Sequence, residues 1–551
     1  MTDVDGPGGL RRRDFLTRVG IAGGAGALYS TMDAMGLVAS PTNAPAAYAA
    51  ARDFRPPAAS DFTLRGRPNK TRVIVLGAGI AGLVTAYELG KAGYECTVVE
   101  ARERPGGRNW TVRGGTRETE IGGAEQVAGF DEGQYMNAGP ARIAQSMVTL
   151  DYCRELGVPV EIFANQNADG FYYNENVGAL SGTPVRHRTA KADVYGYVSE
   201  LLAKATDQGA LDAYLTADDK QRLISFLQGF GSVGGRVAGD PAASFRYTGT
   251  SRRGYDVEPG AGNTPGVVKA PPYSLEDVFE SGLGRYFSFE FGYDQAMLMF
   301  QPVGGMDRIP YALAEAVERG RGTLIYGAPV SEIANTPDGV GVTVEQRGRL
   351  RRLDADYCVC TIPPTVLRGV PSNFAAATKA AIAEPVGVTV GKIGLQYKRR
   401  FWEQDDRIFG GITNTNVGLG TIWYPSTGFF GRKGTVVGYY NFGGDAVAYG
   451  DLPHGEREAR AVAAGRRIHG DAYATELEQS FSVAWHKIPY TQGGWVSWPS
   501  RTAGYQTLLE ADGNTYFAGD HLSYFIAWQA GAIDSARLAV TRLHERALAT
   551  S

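Results

Sequence analysis

Cysteine and histidine are scarce, with four and six residues in a chain of 551. Cys96, Cys153, Cys358 and Cys360 form no C-x-x-C pair, and the histidines fall at no zinc-ligand spacing. Neither a disulfide-stapled scaffold nor a metal site is therefore expected. Cys96, Cys358 and Cys360 stand in strand-like apolar segments, where packing is their role. An excess of one charge is lacking too. Fifty-five Lys and Arg against 58 Asp and Glu leave a net charge of −3, and the basic residues are scattered, so no nucleic-acid partner is expected. No repeat recurs at solenoid spacing. Past the first 50 residues no run is long and apolar enough to span a bilayer, so the mature protein is expected to be soluble. What is plentiful is glycine: 74 residues without a period, nearly twice the usual share of about 7%, which points to many turns. The length implies two or three packed units.

One stretch carries most of the chemistry. Val73–Leu76 is a short apolar run suited to a buried parallel strand, and Gly77, Gly79 and Gly82 follow as G-x-G-x-x-G. Ile80–Leu89 then has helical periodicity, and a second strand, Cys96–Val99, ends in Glu100. Gly77 permits a tight turn, Gly79 lets backbone approach a pyrophosphate, and Gly82 lets helix pack on strand. The helix N-terminus, with Ile80 and Ala81, stabilises phosphate charge, and the acid suits a ribose hydroxyl. Past Glu100 the chain reads Ala101-Arg102-Glu103-Arg104-Pro105-Gly106-Gly107-Arg108. Arg102 and Arg108 add positive charge near the same pyrophosphate, and Gly106-Gly107 suits a second backbone approach to it.

This compound motif resembles the fingerprint of the FAD-dependent amine oxidase family, G-x-G-x-x-G followed by E-A-R-x-R-x-G-G-R. The resemblance implies an α/β fold: a discontinuous Rossmann-like FAD-binding domain, a mixed α/β substrate-binding domain and a helical insertion. On this chain that division falls at 71–128, 300–385 and 508–549 for FAD, at 129–180, 271–299 and 386–507 for substrate, and at 181–270 for the insertion. It places Gly304-Gly305-Met306 under the flavin and the adenine beside the backbone of Val330. The closing flavin motif is Thr515–Asp520, a strand ending in Gly519-Asp520, with a small-residue helix start at Ala530–Ala536 that includes Gly531, Ala532 and Ile533. No cysteine falls near it, so noncovalent FAD is implied.

Coarse patterning fills in the rest. Lys191–Ala205 and Ala217–Phe230 read as amphipathic helices, and Pro265–Pro272 as loop. Strands are expected at Thr323–Tyr326, Pro329–Ile333, Gly341–Gln346 and Tyr357–Thr361, with Asp338-Gly339 as a hairpin turn. Others are expected at Thr389–Tyr397, Gly420–Tyr424 and Thr435–Phe442. Residues 51–70 read as a linker.

The substrate residues come from a closer resemblance, to L-amino-acid oxidases within the family. Met136–Ile143 resembles the segment whose arginine forks onto the substrate carboxylate, which falls on Arg142, with Gly139, Pro140 and Ala141 beside the flavin. A guanidinium offers a carboxylate two parallel donors. Pro-Ala stands before Arg142, where relatives commonly carry Met. The second carboxylate donor is Tyr440, with the neighbouring Tyr439 leaving the register open. Lys392 corresponds to the lysine that assists reoxidation by oxygen. The backbone at Gly531 would receive the amine, and Trp528, Trp495 and Trp498 are wall candidates. The expected reaction is oxidative deamination of an L-amino acid by hydride transfer to flavin N5, then reoxidation by O2, giving a 2-oxo acid, ammonia and hydrogen peroxide. Alternatives are a monoamine or polyamine oxidase without carboxylate recognition, a flavin desaturase or cyclase of a larger metabolite, and a flavin-binding protein without oxidase activity. A homodimer is compatible with the family, although no interface is legible.

Arg11-Arg12-Arg13-Asp14-Phe15-Leu16, followed by a Gly/Ala-rich run at Ile21–Ala39, resembles a twin-arginine export signal. Residues 1–50 are expected to be this signal, and the enzyme to be periplasmic or secreted.

Overall fold

The computed structural model describes residues 62–66 and 70–550; the expected signal lies outside them. Five parallel strands build the central sheet, in the order Gly322–Ile325, Glu95–Val99, Arg72–Leu76, Tyr357–Cys360 and Thr515–Phe517. Alternation along these strands feeds two cores. Val73, Val75, Cys96, Val98 and Val359 face the helices Ile80–Lys91, Arg308–Arg319 and Gln529–Ala549. Ile74, Leu76, Val99, Cys358 and Cys360 face a three-stranded meander and the helices Ala376–Ala383 and Ala503–Leu509. Burial on both faces explains the near-continuous apolar runs.

The meander is Val330–Thr336, Gly339–Gln346 and Arg349–Ala355. Its first turn is Pro337-Asp338, one residue earlier than expected. Gly339 is already paired with Thr336, and a Cβ on it would meet the Ala355 carbonyl oxygen at 2.3 Å, so its glycine serves close packing. The third strand, Arg-Leu-Arg-Arg-Leu-Asp-Ala, has no sequence signal because it is largely exposed and charged.

A seven-stranded sheet forms the substrate side, in the order Leu477–Ala484, Val390–Tyr397, Gly434–Phe442, Thr421–Trp423, Ile412–Thr415, Phe171–Tyr173 and Val185–Arg186. The insertion contains the paired helices His187–Asp207 and Ala217–Gly231, the second capped by Thr216, whose hydroxyl accepts from the Asp219 N–H. Within the expected loop 265–272, Val267–Val268 pairs with Tyr255–Val257. The end of the expected linker is docked rather than free. Phe62 and Leu64 pack on the core, with the Arg537 guanidinium 5.0 Å from the Phe62 ring centre, and the His544 ring bonds the Arg65 carbonyl at 2.9 Å. Among the described residues no helix is long and apolar enough to cross a membrane, and none of His, Cys, Asp and Glu cluster as metal ligands.

Candidate active site

The carboxyl ends of parallel strands are where such sheets open a crevice. Here a cavity of about 490 Å³ runs from Glu100 and Val330 at one end to Lys392, Tyr440 and Trp528 at the other. Gly77, at φ +103°, makes the turn out of the first strand. Gly79 caps the helix with no side chain bonded to the first-turn N–H groups, and a Cβ on it would meet nothing within 4 Å. Gly82 is the opposite case: a Cβ there would lie 1.9 Å from the Gly77 carbonyl oxygen. The first glycine pair therefore shapes a cradle, and the third seals helix to strand.

Glu100 is buried and accepts from two backbone N–H groups, Ala78 at 2.7 Å and Arg102 at 2.9 Å. Burial raises its pKa against the pull of these bonds. It ties the glycine loop to the second strand as well as lining the cavity. Arg102 lines the cavity too, but its guanidinium is engaged by Glu118 at 2.8 Å and the Pro489 carbonyl at 2.7 Å. Arg108 pairs with Asp520, joining the N-terminal and C-terminal motifs. Burial, the largest influence, would raise the Asp520 pKa, but the Arg108 and His521 charges and the hydrogen bonds from the Ala527 N–H and Arg108 together outweigh it and hold the carboxylate ionised.

Ile80, Ala81, Ala101, Gly107, Gly139, Pro140, Gly519 and Ala532 also line the cavity. Gly82, Ala141, Arg142, Gly531 and Ile533 do not. Ile533 is buried in the core, and Gly531 is pressed against the Phe525 carbonyl, 2.1 Å from a built Cβ, so the wall at this helix start is Trp528, Gln529 and Ala532 instead. Gly304–Met306 are likewise outside the cavity. Met306 is fully buried and donates its N–H to Asn137 Oδ1 at 2.9 Å, bracing the segment that does line it. Of the wall tryptophans Trp495 lines the cavity, whereas Trp498 turns away to bond the His521 carbonyl.

At the far end register decides the tyrosine. Tyr440 lies directly across the ladder from Lys392, so the two share a face, whereas Tyr439 pairs with Ile393 and enters the core behind. Lys392 is buried, with Nζ donating to the carbonyls of Asn137 and Gly139. Burial, reinforced by the Arg142 charge, pulls its pKa down to about 7. Arg142 lies just behind Tyr440 and Trp528, enclosed by Phe289, Trp423 and Gln295. Its Nη2 donates to Gln295 Oε1 at 3.4 Å, its Nε has no partner, and no carboxylate lies within ion-pair distance among the described residues. Burial lowers its pKa only to about 10, so it stays charged. Three residues of this end carried no sequence signal. Trp423 reaches it by strand pairing, Asp294 accepts from Trp528 Nε1 at 2.8 Å, and Gln295 arrives on a loop.

The cavity fits a dinucleotide. Besides the open cradle at Gly79, the Asn109 amide lines it with both polar atoms buried and unpartnered, as does Gln529 Nε2. The model of the flavin-containing amine oxidoreductase family matches residues 80–544. The chain belongs to that family. Members similar to it include the putative L-amino-acid oxidase YobN of Bacillus subtilis (strain 168), 24% identical over 84% of this chain and 92% of that protein. The flavin-dependent L-tryptophan oxidase RebO of Lentzea aerocolonigenes is 27% identical, over 85% and 97%. An L-amino-acid oxidase of Crotalus adamanteus is 26% identical, over 86% of each chain. Among solved structures, the cyclohexylamine oxidase from Brevibacterium oxydans IH-35A superposes with a TM-score of 0.56 at 17% identity, covering 87% of this chain and 99% of that one. A putrescine oxidase bound to putrescine gives 0.55 at 19%, with the same coverage. These two carry the fold. The amine oxidoreductase cofactor is FAD. All four cysteines are buried away from the cavity, in keeping with noncovalent binding.

Proposed function

We propose that this flavin amine oxidoreductase is an L-amino-acid oxidase, converting an L-amino acid, O2 and water to a 2-oxo acid, ammonia and hydrogen peroxide. The observation that carries the reading is Arg142: a buried, charged guanidinium with an unpartnered Nε and no carboxylate within ion-pair distance among the described residues, Asp294 acting on it only from farther away. Such a group is stable only if something anionic completes it. A substrate carboxylate has the right charge and the two acceptors a guanidinium fork matches. The amino-acid oxidases among its relatives support the same reading.

FAD, when bound along the cradle, supplies the two-electron acceptor. The protein's share is positioning and exclusion of water. Arg142 anchors the carboxylate, with the Tyr440 hydroxyl as a second donor; burial pushes that hydroxyl up to about 12, so it stays protonated. Trp528, Gln529 and Ala532 wall the cavity at the start of the last helix, the side this reading gives to the amine. Lys392 is poised near neutrality and can hold or release a proton at Nζ.

A peroxide and ammonia assay over the twenty L-amino acids and common amines tests this. Both products from one or more amino acids are expected. Peroxide from amines alone, or from nothing, would contradict it. We also propose export by the twin-arginine route. Replacing Arg12 and Arg13 by Lys should leave the enzyme in the cytoplasm, and unchanged fractionation would rule the signal out.

A further inference from the structure

Trp423 belongs to none of the motifs above, yet two cations of the site gather on its ring. The Arg142 guanidinium carbon is 4.5 Å from the indole centre and Lys392 Nζ is 5.0 Å away. The ring itself is fixed. Its Nε1 donates to Thr421 Oγ1 at 2.8 Å, Tyr440 meets it edge-on at 5.2 Å and 90°, and Phe163 packs at 5.8 Å. It is 6% exposed. Together with Ala141 and Asn137 it also walls a second cavity of about 390 Å³ behind the site.

Neither cation has a carboxylate within ion-pair distance among the described residues, and their charges repel. An aromatic face is negative and attracts a cation, more strongly where water is excluded. Of the rings around Arg142, Trp423 is nearer than Phe289 at 5.8 Å or Trp528 at 5.9 Å. Lys392 shares the ring with that of Tyr440, 4.4 Å away.

Resting on the reading of Arg142 as carboxylate anchor, we propose that Trp423 is the positioning residue of the site. Its pinned indole sets the placement of the Arg142 guanidinium beside Tyr440, and keeps it from sinking toward the second cavity. The charged and titratable groups facing Lys392 are Arg142 and Tyr440. Losing the indole face removes an attraction for the ammonium, so the Lys392 ionisation moves to lower pH.

The test compares Trp423→Leu, Trp423→Phe and Arg142→Met in FAD-loaded enzyme. Calorimetric affinity for benzoate, used as a carboxylate probe, is measured alongside KM, kcat and the pH profile. Trp423→Leu should weaken benzoate and raise KM about 10-fold, with kcat less affected and the ionisation near 7 shifted down. Trp423→Phe keeps an aromatic face and should recover most of the affinity and the profile. If leucine prevents folding, Trp423→Met carries the comparison. Wild-type affinity and profile in Trp423→Leu, with benzoate lost in Arg142→Met, would leave Trp423 as packing alone and overturn the proposal. Undiminished benzoate binding in Arg142→Met would instead remove the anchor reading beneath it.

Discussion

Gly79 and Gly82 are three residues apart, yet a methyl group should affect them through different physics. At Gly82 a Cβ collides with the Gly77 carbonyl, so Gly82→Ala should lower stability by about 1–3 kcal/mol in denaturant unfolding, whatever the flavin does. At Gly79 the backbone is extended and the space beyond is open, so Gly79→Val should fold normally. Its side chain would occupy the cradle, and the purified protein should carry much less flavin by absorbance ratio. Equal flavin content in Gly79→Val and wild type would contradict the placement of the pyrophosphate. Lys392 gives a second prediction. Its pKa near 7 makes it ammonium below that pH and amine above it. The oxygen-dependent half of turnover should change across pH 7, and Lys392→Met should lose both that step and most of the rate. The sign for stability follows from the same shift. An unfolded lysine titrates near 10.4, so between about 7 and 10 the unfolded chain holds a proton that the native one lacks. Stability therefore rises with pH across that window, and Lys392→Met should flatten the rise.

Elements show what sequence could and could not reveal. The glycine turn, its flanking strands and the helix were legible because each is local: spacing, an apolar run and a periodic face within about thirty residues. Arg142 was legible by resemblance to a short segment. The choice between Tyr439 and Tyr440 was not, because alternation along one strand assigns faces but does not say which face meets the cavity. Only pairing of Tyr440 with Lys392 does so. Trp423 was invisible because the cations it faces, Arg142 and Lys392, come from segments distant from it in sequence. Arg349–Ala355 was missed because its exposed face carries no apolar pattern. The helical insertion, whose composition says least, is held by a buried centre. Asp193 accepts from Arg253 Nε at 2.6 Å, Tyr247 Oη at 2.9 Å and the Tyr273 N–H at 2.9 Å, with both charged side chains at 1% exposure or less. Asp193→Ala leaves the guanidinium buried without its ion pair, a loss of about 3–5 kcal/mol. Faster amide exchange across 251–273, with the flavin spectrum unchanged, is the expected outcome; exchange that rises evenly throughout the protein would refute a local role.

On the scale of the whole molecule, the central sheet is assembled from strands spread between Arg72 and Phe517, and the cavity closes only when both ends meet. Arg108 and Asp520, 412 residues apart in sequence, make that join. Asp520→Ala removes the partner of Arg108 and the acceptor of the Ala527 N–H, and should reduce both flavin retention and thermal stability. Wild-type flavin content in that variant would count against the join. Under the proposed function the bound flavin carries the redox chemistry and one buried cation carries recognition. The most direct test of that assignment pairs an L-amino acid that is turned over with the amine left by its decarboxylation, in wild-type enzyme and in Arg142→Met. Loss of the carboxylate anchor should lower kcat/KM for the amino acid at least 100-fold and change it little for the amine, with flavin content unaltered. An equal fall for both compounds, or none for the amino acid, would contradict the account.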